Sequence, residues 1–334
     1  MIISRTPLRM SFVGGGSDMS VFYRKHQGAV VSSTIDKYVY LTINKKFSRG
    51  VRLAYSKNEE VKSAEQLAHP LVRASMKIVG IEGGVEITTV ADIPSKGTGL
   101  GSSSAFTVGL LHVLYALQGK SVTTNQLALE SCRVEIEECG APIGKQDQYA
   151  SAIGGFNLIE FNSDESVSVK PLSITKTVLD EIERNLLVMY TGISRSASTI
   201  LAEQSGEVAH CHGKQETLKK MVDFAYDLKY ELEAGNTDSF GEILHENWIL
   251  KKSLANSISS REIDDWYSRA IKAGAKGGKI LGAGAGGFLL FYAPPEKHRD
   301  IEYCLDGLRR VPVKFEKFGS QIVFSDEKSE GDLL

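Results

Sequence analysis

The sequence is poor in the features that mark several special protein classes. Among its 334 residues only four are cysteine (Cys132, Cys139, Cys211, Cys304), and none forms a C-x-x-C pair or a disulfide-like spacing. A disulfide framework and a thiol redox motif are therefore excluded, and a reducing cytoplasm suits the four thiols. No stretch approaches the ~18 consecutive apolar residues of a membrane helix. The chain opens Met1-Ile2-Ile3-Ser4-Arg5 and soon meets Pro7, so no signal peptide is expected. Neither sign of charge dominates: 39 basic residues face 41 acidic ones, giving a formal net charge of −2 without a basic stripe. This excludes a nucleic-acid partner, and no membrane partner is expected. No internal repeat or low-complexity stretch is present. What remains is an ordinary globular composition, 42% hydrophobic and 24% charged, long enough for two domains.

Hydrophobic periodicity organises the chain. Residues 1–56 read as strands, with period-two alternation from Tyr38 to Phe47, and 85–93 alternates in the same way before Pro94. A Gly/Ser loop follows, then a helix from about Ser102 to Leu117 closed by Gly119. A second helix runs from about Thr124 to Cys139, closed by Gly140 with Pro142 beyond. Strands return at 155–161 and 186–191. Helical patterns cover roughly 214–234, 238–255 and 260–274, the last opened by a Ser259-x-x-Glu262 capping box. Strands close the chain at Phe288 to Tyr292, Pro312 to Phe315 and Ile322 to Phe324, and the acidic last ten residues are expected to form a loose tail. The pattern predicts α/β structure in both halves, with domains at 1–175 and 176–334.

Three glycine-rich stretches offer backbone to a ligand. In Gly14-Gly15-Gly16-Ser17-Asp18 a strand enters a turn, and the aspartate can accept hydrogen bonds from hydroxyls; a simple tight turn explains it equally well. Pro94-Ser-Lys-Gly97-Thr-Gly99-Leu100-Gly101-Ser102-Ser103-Ser104 runs into a helix N-terminus. Free N–H groups and the positive end of the helix dipole there make a phosphate site, and a serine hydroxyl suits Mg²⁺. Gly282-Ala-Gly284-Ala-Gly286-Gly287 fits G-x-G-x-x-G, but it follows a helical segment and leads into a strand, the reverse of a dinucleotide-binding unit. A dehydrogenase is excluded. Gly140-Ala-Pro-Ile-Gly144-Lys145-Gln146 has the wrong spacing for a Walker A loop and lacks its Ser/Thr, so a P-loop kinase is excluded too.

A fourth element carries acids. Glu135 lies near a helix end and Asp147 beyond a Gly/Pro turn, so both can point back at one site, whereas Glu137 and Glu138 read as a solvated face. Phosphoryl transfer calls for a metal-holding carboxylate and for a residue that orients or deprotonates the attacking hydroxyl.

These four elements, in this order from Pro7 to Gly287, resemble the GHMP kinases, named for galactokinase, homoserine kinase, mevalonate kinase and phosphomevalonate kinase. The resemblance implies an α/β (α+β) fold of two domains, a ribosomal protein S5-like N-terminal domain and a ferredoxin-like C-terminal domain, with ATP and substrate between them. It implies that Gly97, Gly99, Leu100, Gly101, Ser102, Ser103 and Ser104 wrap the ATP phosphates, and that Ser103 and Glu135 ligate Mg²⁺. By the same resemblance Asp147 is the catalytic base, Arg9 the basic residue facing it, and Asp18, with Gly16, Ser17 and Gly284, the substrate contacts. Galactokinases carry Gly-Glu-His-Thr-Asp where this chain has Gly14-Gly15-Gly16-Ser17-Asp18. The opening Arg5 to Asp18 and the run Gly144 to Gly155 look more like heptose 7-phosphate kinases, which phosphorylate the anomeric hydroxyl; fucokinase-like domains share parts of the pattern. The implied partner is a small-molecule sugar phosphate, and a homodimer is admitted. A sugar-sensing protein on the same fold is the non-enzymatic alternative, but Asp147, Glu135 and Ser103 are all present.

Other residues are assigned plainer roles. His210-Cys211-His212 lacks a second ligand pair for zinc and reads as a surface loop. His245 and Trp248 read as core packing; Lys251 and Lys252 could reach a substrate, and are next in line after Arg195 for its phosphate, but solvated helix lysines are the default. Arg195, after an apolar strand and before a helix, is the candidate for holding a substrate phosphate apart from the ATP loop.

Overall fold

The computed structural model describes residues 1–94 and 97–326. The expected tail therefore lies outside the described residues from 327 onward, as do Ser95 and Lys96 of the second glycine stretch.

Thirteen strands form two sheets among the described residues. They are β1 (Ile2–Val13), β2 (Gly28–Lys45), β3 (Val51–Ala54), β4 (Asn58–Val61), β5 (Val85–Ala91), β6 (Phe156–Phe161), β7 (Val167–Pro171), β8 (Leu186–Tyr190), β9 (Gly277–Ile280), β10 (Phe288–Tyr292), β11 (Arg309–Arg310), β12 (Phe315–Glu316) and β13 (Gln321–Ser325). The first sheet has the order β13-β1-β2-β5-β3-β4, with β6 and β12 also paired to β2 and β7 paired to β6. The second, antiparallel throughout, has the order β11-β8-β10-β9. The chain thus leaves the first sheet after Pro171 and returns to it with β12 and β13. The β1–β2 register shifts between Pro7 and Leu8, where proline has no N–H to give the ladder.

Eleven α-helices accompany them: α1 (Ser20–Tyr23), α2 (Pro70–Val79), α3 (Ser102–Leu117), α4 (Thr124–Cys132), α5 (Gln146–Ile153), α6 (Lys176–Asn185), α7 (Ala197–His210), α8 (His212–Glu233), α9 (Ser239–Lys252), α10 (Arg261–Lys272) and α11 (His298–Cys304). The predicted helix 124–139 is α only to Cys132; a π-helical turn over Arg133–Glu138 completes it. His210 and His212 are not in a loop. They end α7 and begin α8, with Cys211 as the joint. The cap of α10 is Ser260, whose hydroxyl accepts from the Ile263 N–H, and Ser259 instead donates to Asp264; the cap thus lies one residue later than predicted, with Ile263 at the position where a capping box needs Glu or Gln.

Two packings position the site. Helix α3 is apolar nearly all round and lies on β1 and β2, with Ser4 Oγ donating to the Gly109 carbonyl at 2.9 Å. Its N-terminus is thereby held beside the Arg9 region of β1. Helix α9 lies on β9 and beside α8, and its Leu244, Trp248 and Lys251 face inward at helical spacing. No helix among the described residues is long and apolar enough to cross a membrane.

Candidate functional site

A cavity of about 370 Å³ opens where β1, the glycine loop before α3, the start of α5 and helices α7 and α9 converge. β1 delivers Arg9, almost fully buried. Its Nε and Nη2 donate to the two Asp147 carboxylate oxygens at 2.8 and 2.7 Å, and Nη1 donates to the Gly99 carbonyl at 2.7 Å. One planar fork therefore fixes the loop and the carboxylate together. The Asp147 side chain keeps 24% exposure against 4% for Arg9, so the carboxylate can still be reached from the cavity. Asp147 also sits in the first turn of α5, at the positive end of that helix.

The π turn aims Glu135 inward while Glu137 and Glu138 stay exposed, an example of a π turn placing a single side chain. Ser103 Oγ and Gln148 Nε2 each donate to Glu135 at 2.6 Å. Burial pushes the Glu135 carboxyl upward, and the hydrogen bonds from Ser103, Ser104 and Gln148 only partly oppose it. Ser103 itself is exposed to the cavity.

Across the cavity Asp18 accepts from the Gly16 N–H at 2.9 Å and the Gln146 N–H at 3.3 Å. Burial, and then the charge of Asp147, raises its pKa. Two buried lysines complete the wall. Lys251 Nζ donates to Gln204 Oε1 at 2.7 Å and to the Gly15 carbonyl at 3.3 Å, and Lys279 Nζ donates to the Ser11 and Phe12 carbonyls at 2.8 and 2.9 Å. Burial lowers Lys251 to about 8, opposed by Asp18; burial and the charges of Lys251 and Arg9 push Lys279 well below the ordinary lysine value.

Arg9, Gly16, Asp18, Gly97, Gly99, Gly101, Ser102, Ser103, Ser104, Glu135 and Asp147 all line this cavity, while Leu100 is buried beneath the loop. Ser17 points away, its hydroxyl donating to the Gly14 and Ala29 carbonyls. Gly284 packs on the Ile258 backbone and Gly286 on Ile193, while the two ends of the third glycine stretch back the second: Gly282 lies against Gly99 and Gly287 against Thr98. Arg195 is exposed, and its backbone abuts Gly97. It therefore sits beside the ATP-type loop and not apart from it, because the β8–α7 connection folds over that loop. For the two helix lysines the structure decides between the readings: Lys251 lines the cavity and is not solvated, whereas Lys252 pairs outside with Asp264 at 2.9 Å. The signal was available, since Lys251 continues the Leu244–Trp248 stripe. Lys279, Gln204 and Gln148 escaped notice because a single polar residue outside a motif carries no local signal of what it will face.

A second groove of about 730 Å³ shares Ser102 and Ser103 with the first and is lined by Tyr55, His69 and Phe106. The His69 ring lies 4.9 Å from Tyr55 edge-on and 5.3 Å from Phe106.

Residues 61–155 match the family described as GHMP kinases N terminal domain, and residues 228–304 match GHMP kinases C terminal. The D-glycero-alpha-D-manno-heptose 7-phosphate kinase of Campylobacter jejuni is 29% identical over 324 residues, covering 90% of this chain and 91% of that protein. A mevalonate kinase of Thermococcus onnurineus is 30% identical over 261 residues, 74% of this chain and 72% of its own. The crystal structure of a D-glycero-D-manno-heptose 1-phosphate kinase from Bacteroides thetaiotaomicron superposes with a TM-score of 0.80 at 27% identity, over 97% of this chain and 100% of that one.

Proposed function

Because the chain belongs to the GHMP kinases and so is an ATP-dependent phosphotransferase, we propose that it moves the γ-phosphoryl group of ATP onto the C1 hydroxyl of D-glycero-D-manno-heptose 7-phosphate. The product is the 1,7-bisphosphate, and the reaction is cytoplasmic. The carrying observation is the Arg9–Asp147 pair, which ties the phosphate loop to a reachable carboxylate facing Asp18. The heptose relatives, which align over nearly the whole chain, support the choice of acceptor.

In this reading the aromatic groove around His69 takes the adenine, and the N–H groups of the loop and of α3 take the phosphates. Asp18 accepts hydrogen bonds from sugar hydroxyls and orients C1. An Asp147 oxygen takes the proton from the C1 hydroxyl as the bond from the C1 oxygen to the γ-phosphorus forms and the bond from that phosphorus to the β–γ bridging oxygen breaks, so that ADP leaves, while Arg9 keeps the carboxylate oxygen directed at the acceptor. The division near residue 175 then separates a nucleotide-binding half from a half that closes the acceptor end.

The residues present fit a Mg²⁺ ion. Glu135 is enclosed, is held by the neutral donors Ser103, Ser104 and Gln148, and shares a hydroxyl that opens to the cavity. Mg²⁺ takes one or two protein oxygens and fills its shell with water and phosphate. When bound, Mg²⁺ neutralises charge on the phosphate oxygens. Glu135→Gln is expected to raise the Mg²⁺ concentration for half-activation by about tenfold or more, with the acceptor KM within about twofold. An unchanged Mg²⁺ titration removes Glu135 from the metal shell.

The acceptor is tested by comparing heptose 7-phosphate, the unphosphorylated heptose, galactose and fucose with ATP and Mg²⁺. The heptose phosphate is expected to lead in kcat/KM, with the 1,7-bisphosphate as product. A lead for galactose or fucose overturns the acceptor and leaves the kinase class standing.

A further inference from the structure

The acceptor end of the cavity carries more positive charge than the transfer step uses. Arg9 is matched by Asp147, and the enclosed Glu135 awaits a metal ion. That leaves two buried lysines, Lys251 and Lys279, on the cavity wall, with the carboxylate of Asp18 acting on Lys251. The two lysines differ. Lys279 is anchored to two backbone carbonyls of β1 at 2.8 and 2.9 Å, a contact that joins the second sheet to the first. Lys251 has one short contact, to Gln204 Oε1, and one long one, to the Gly15 carbonyl at 3.3 Å. An ammonium has three protons to donate, so Lys251 retains a charged donor for whatever enters beside it.

The surroundings are those of a donor site. Gln204 is fully buried, it turns its oxygen to Lys251, and its Nε2 has no partner among the described residues. That nitrogen lies at Gly16, where a Cβ would come within 2.3 Å of it and 3.5 Å of Lys251 Nζ. Gly16, at φ +107°, thus leaves two nitrogens close to the cavity wall that any side chain would displace. Sugar hydroxyls both give and accept hydrogen bonds, and the acceptor for them here is Asp18. A charged donor beside an unpartnered amide N–H suits a group that only accepts, such as a phosphate ester.

We infer that Lys251, held by Gln204 and the Gly15 carbonyl, is the residue that selects an acceptor carrying a phosphate ester over the same sugar without one. The inference rests on the proposed heptose phosphate reading and names the group that reads its phosphate. Burial keeps Lys251 poised near neutrality with Asp18 in support, so an arriving dianion strengthens its charged form.

The test measures kcat and KM for heptose 7-phosphate, for the unphosphorylated heptose and for ATP, in wild type, Lys251→Met, Lys251→Arg and Gln204→Glu. Lys251→Met is expected to raise the KM for heptose 7-phosphate by roughly ten- to a hundred-fold, the range of one charge-assisted contact, with the ATP KM within about twofold. The ratio of kcat/KM between phosphorylated and unphosphorylated heptose should fall by the same factor, a change that general loosening of the fold does not produce. Lys251→Arg should recover much of the ratio. Gln204→Glu keeps the lysine but sets a carboxylate against it, and should collapse the ratio as Lys251→Met does.

If Lys251→Met leaves the ratio intact, or raises the ATP KM as much as the acceptor KM, the lysine serves the fold or the γ-phosphate and the inference is overturned. Inorganic phosphate tests the subsite without the acceptor. It should inhibit wild type competitively against the acceptor, and this inhibition should weaken at least tenfold in Lys251→Met. Should wild type prefer an unphosphorylated sugar, the heptose phosphate reading falls, and loss or survival of phosphate inhibition in Lys251→Met then decides the subsite by itself.

Discussion

Asp147→Asn is expected to lower kcat by about two or more orders of magnitude, the range for losing a positioned base, while ATP affinity changes little. The substitution keeps shape and removes the oxygen that takes the proton. It also disturbs the fork: Arg9 gives one N–H to each Asp147 oxygen, at 2.8 and 2.7 Å, and an asparagine can accept only one of them. Its NH₂ group would face an Arg9 donor, so the side chain must turn. The Gly99 carbonyl contact of Arg9 survives, which is why the nucleotide loop should hold its place. Steady-state turnover together with equilibrium binding of a fluorescent ATP analogue separates the two effects. Turnover within a few-fold of wild type would show that Asp147 orients the site without acting as the base.

Gly99→Val should abolish measurable ATP binding at concentrations that saturate wild type. Gly99 has φ +77°, a conformation that a β-branched residue adopts only at a cost of about 1–3 kcal/mol. Space is the larger obstacle, since a Cβ there would lie 2.1 Å from the Leu281 carbonyl oxygen. The loop would have to lift off Gly282, drawing away the carbonyl that Arg9 holds. Gly80 offers the matched control: it has φ +80°, caps α2, and nothing lies within 4 Å of an added Cβ. Gly80→Ala should cost only about 1 kcal/mol of stability and leave ATP binding alone. Calorimetric titration with ATP and a thermal melt on both variants check this. Intact ATP affinity in Gly99→Val would place the phosphates elsewhere.

Both predictions draw on sequence and tertiary structure unequally. The strand at 85–93 was legible from its period-two alternation, and the strands at 155–161, 186–191 and 288–292 and the longer helix from Ser102 to Leu117 from apolar runs of strand or helix length bounded by glycine and other turn residues. The glycine loop was legible as well, since a run of glycines ahead of a helix start has few other physical uses. Short helices such as α2 and α6 escaped. Ten residues hold less than three turns of periodicity, and α2 begins without a side-chain cap.

The sequence by itself determined the glycine loop before a helix start and the placing of two acids around a Gly/Pro turn, because each is written in neighbouring residues whose spacing has local physical meaning, and the resemblance of these elements to the GHMP kinases carried the kinase class. Only the tertiary structure decided what faces them. Arg9 and Asp147 are 138 positions apart and meet through a two-pronged ion pair. The third glycine stretch became a backing for the second because Gly282 and Gly99 touch. Lys251, 236 positions from Gly15, became part of the cavity wall, while Arg195 was carried to the side of the loop. Contacts of that range depend on how β1, α3 and α9 pack, and no local period records which side chain a distant segment will meet.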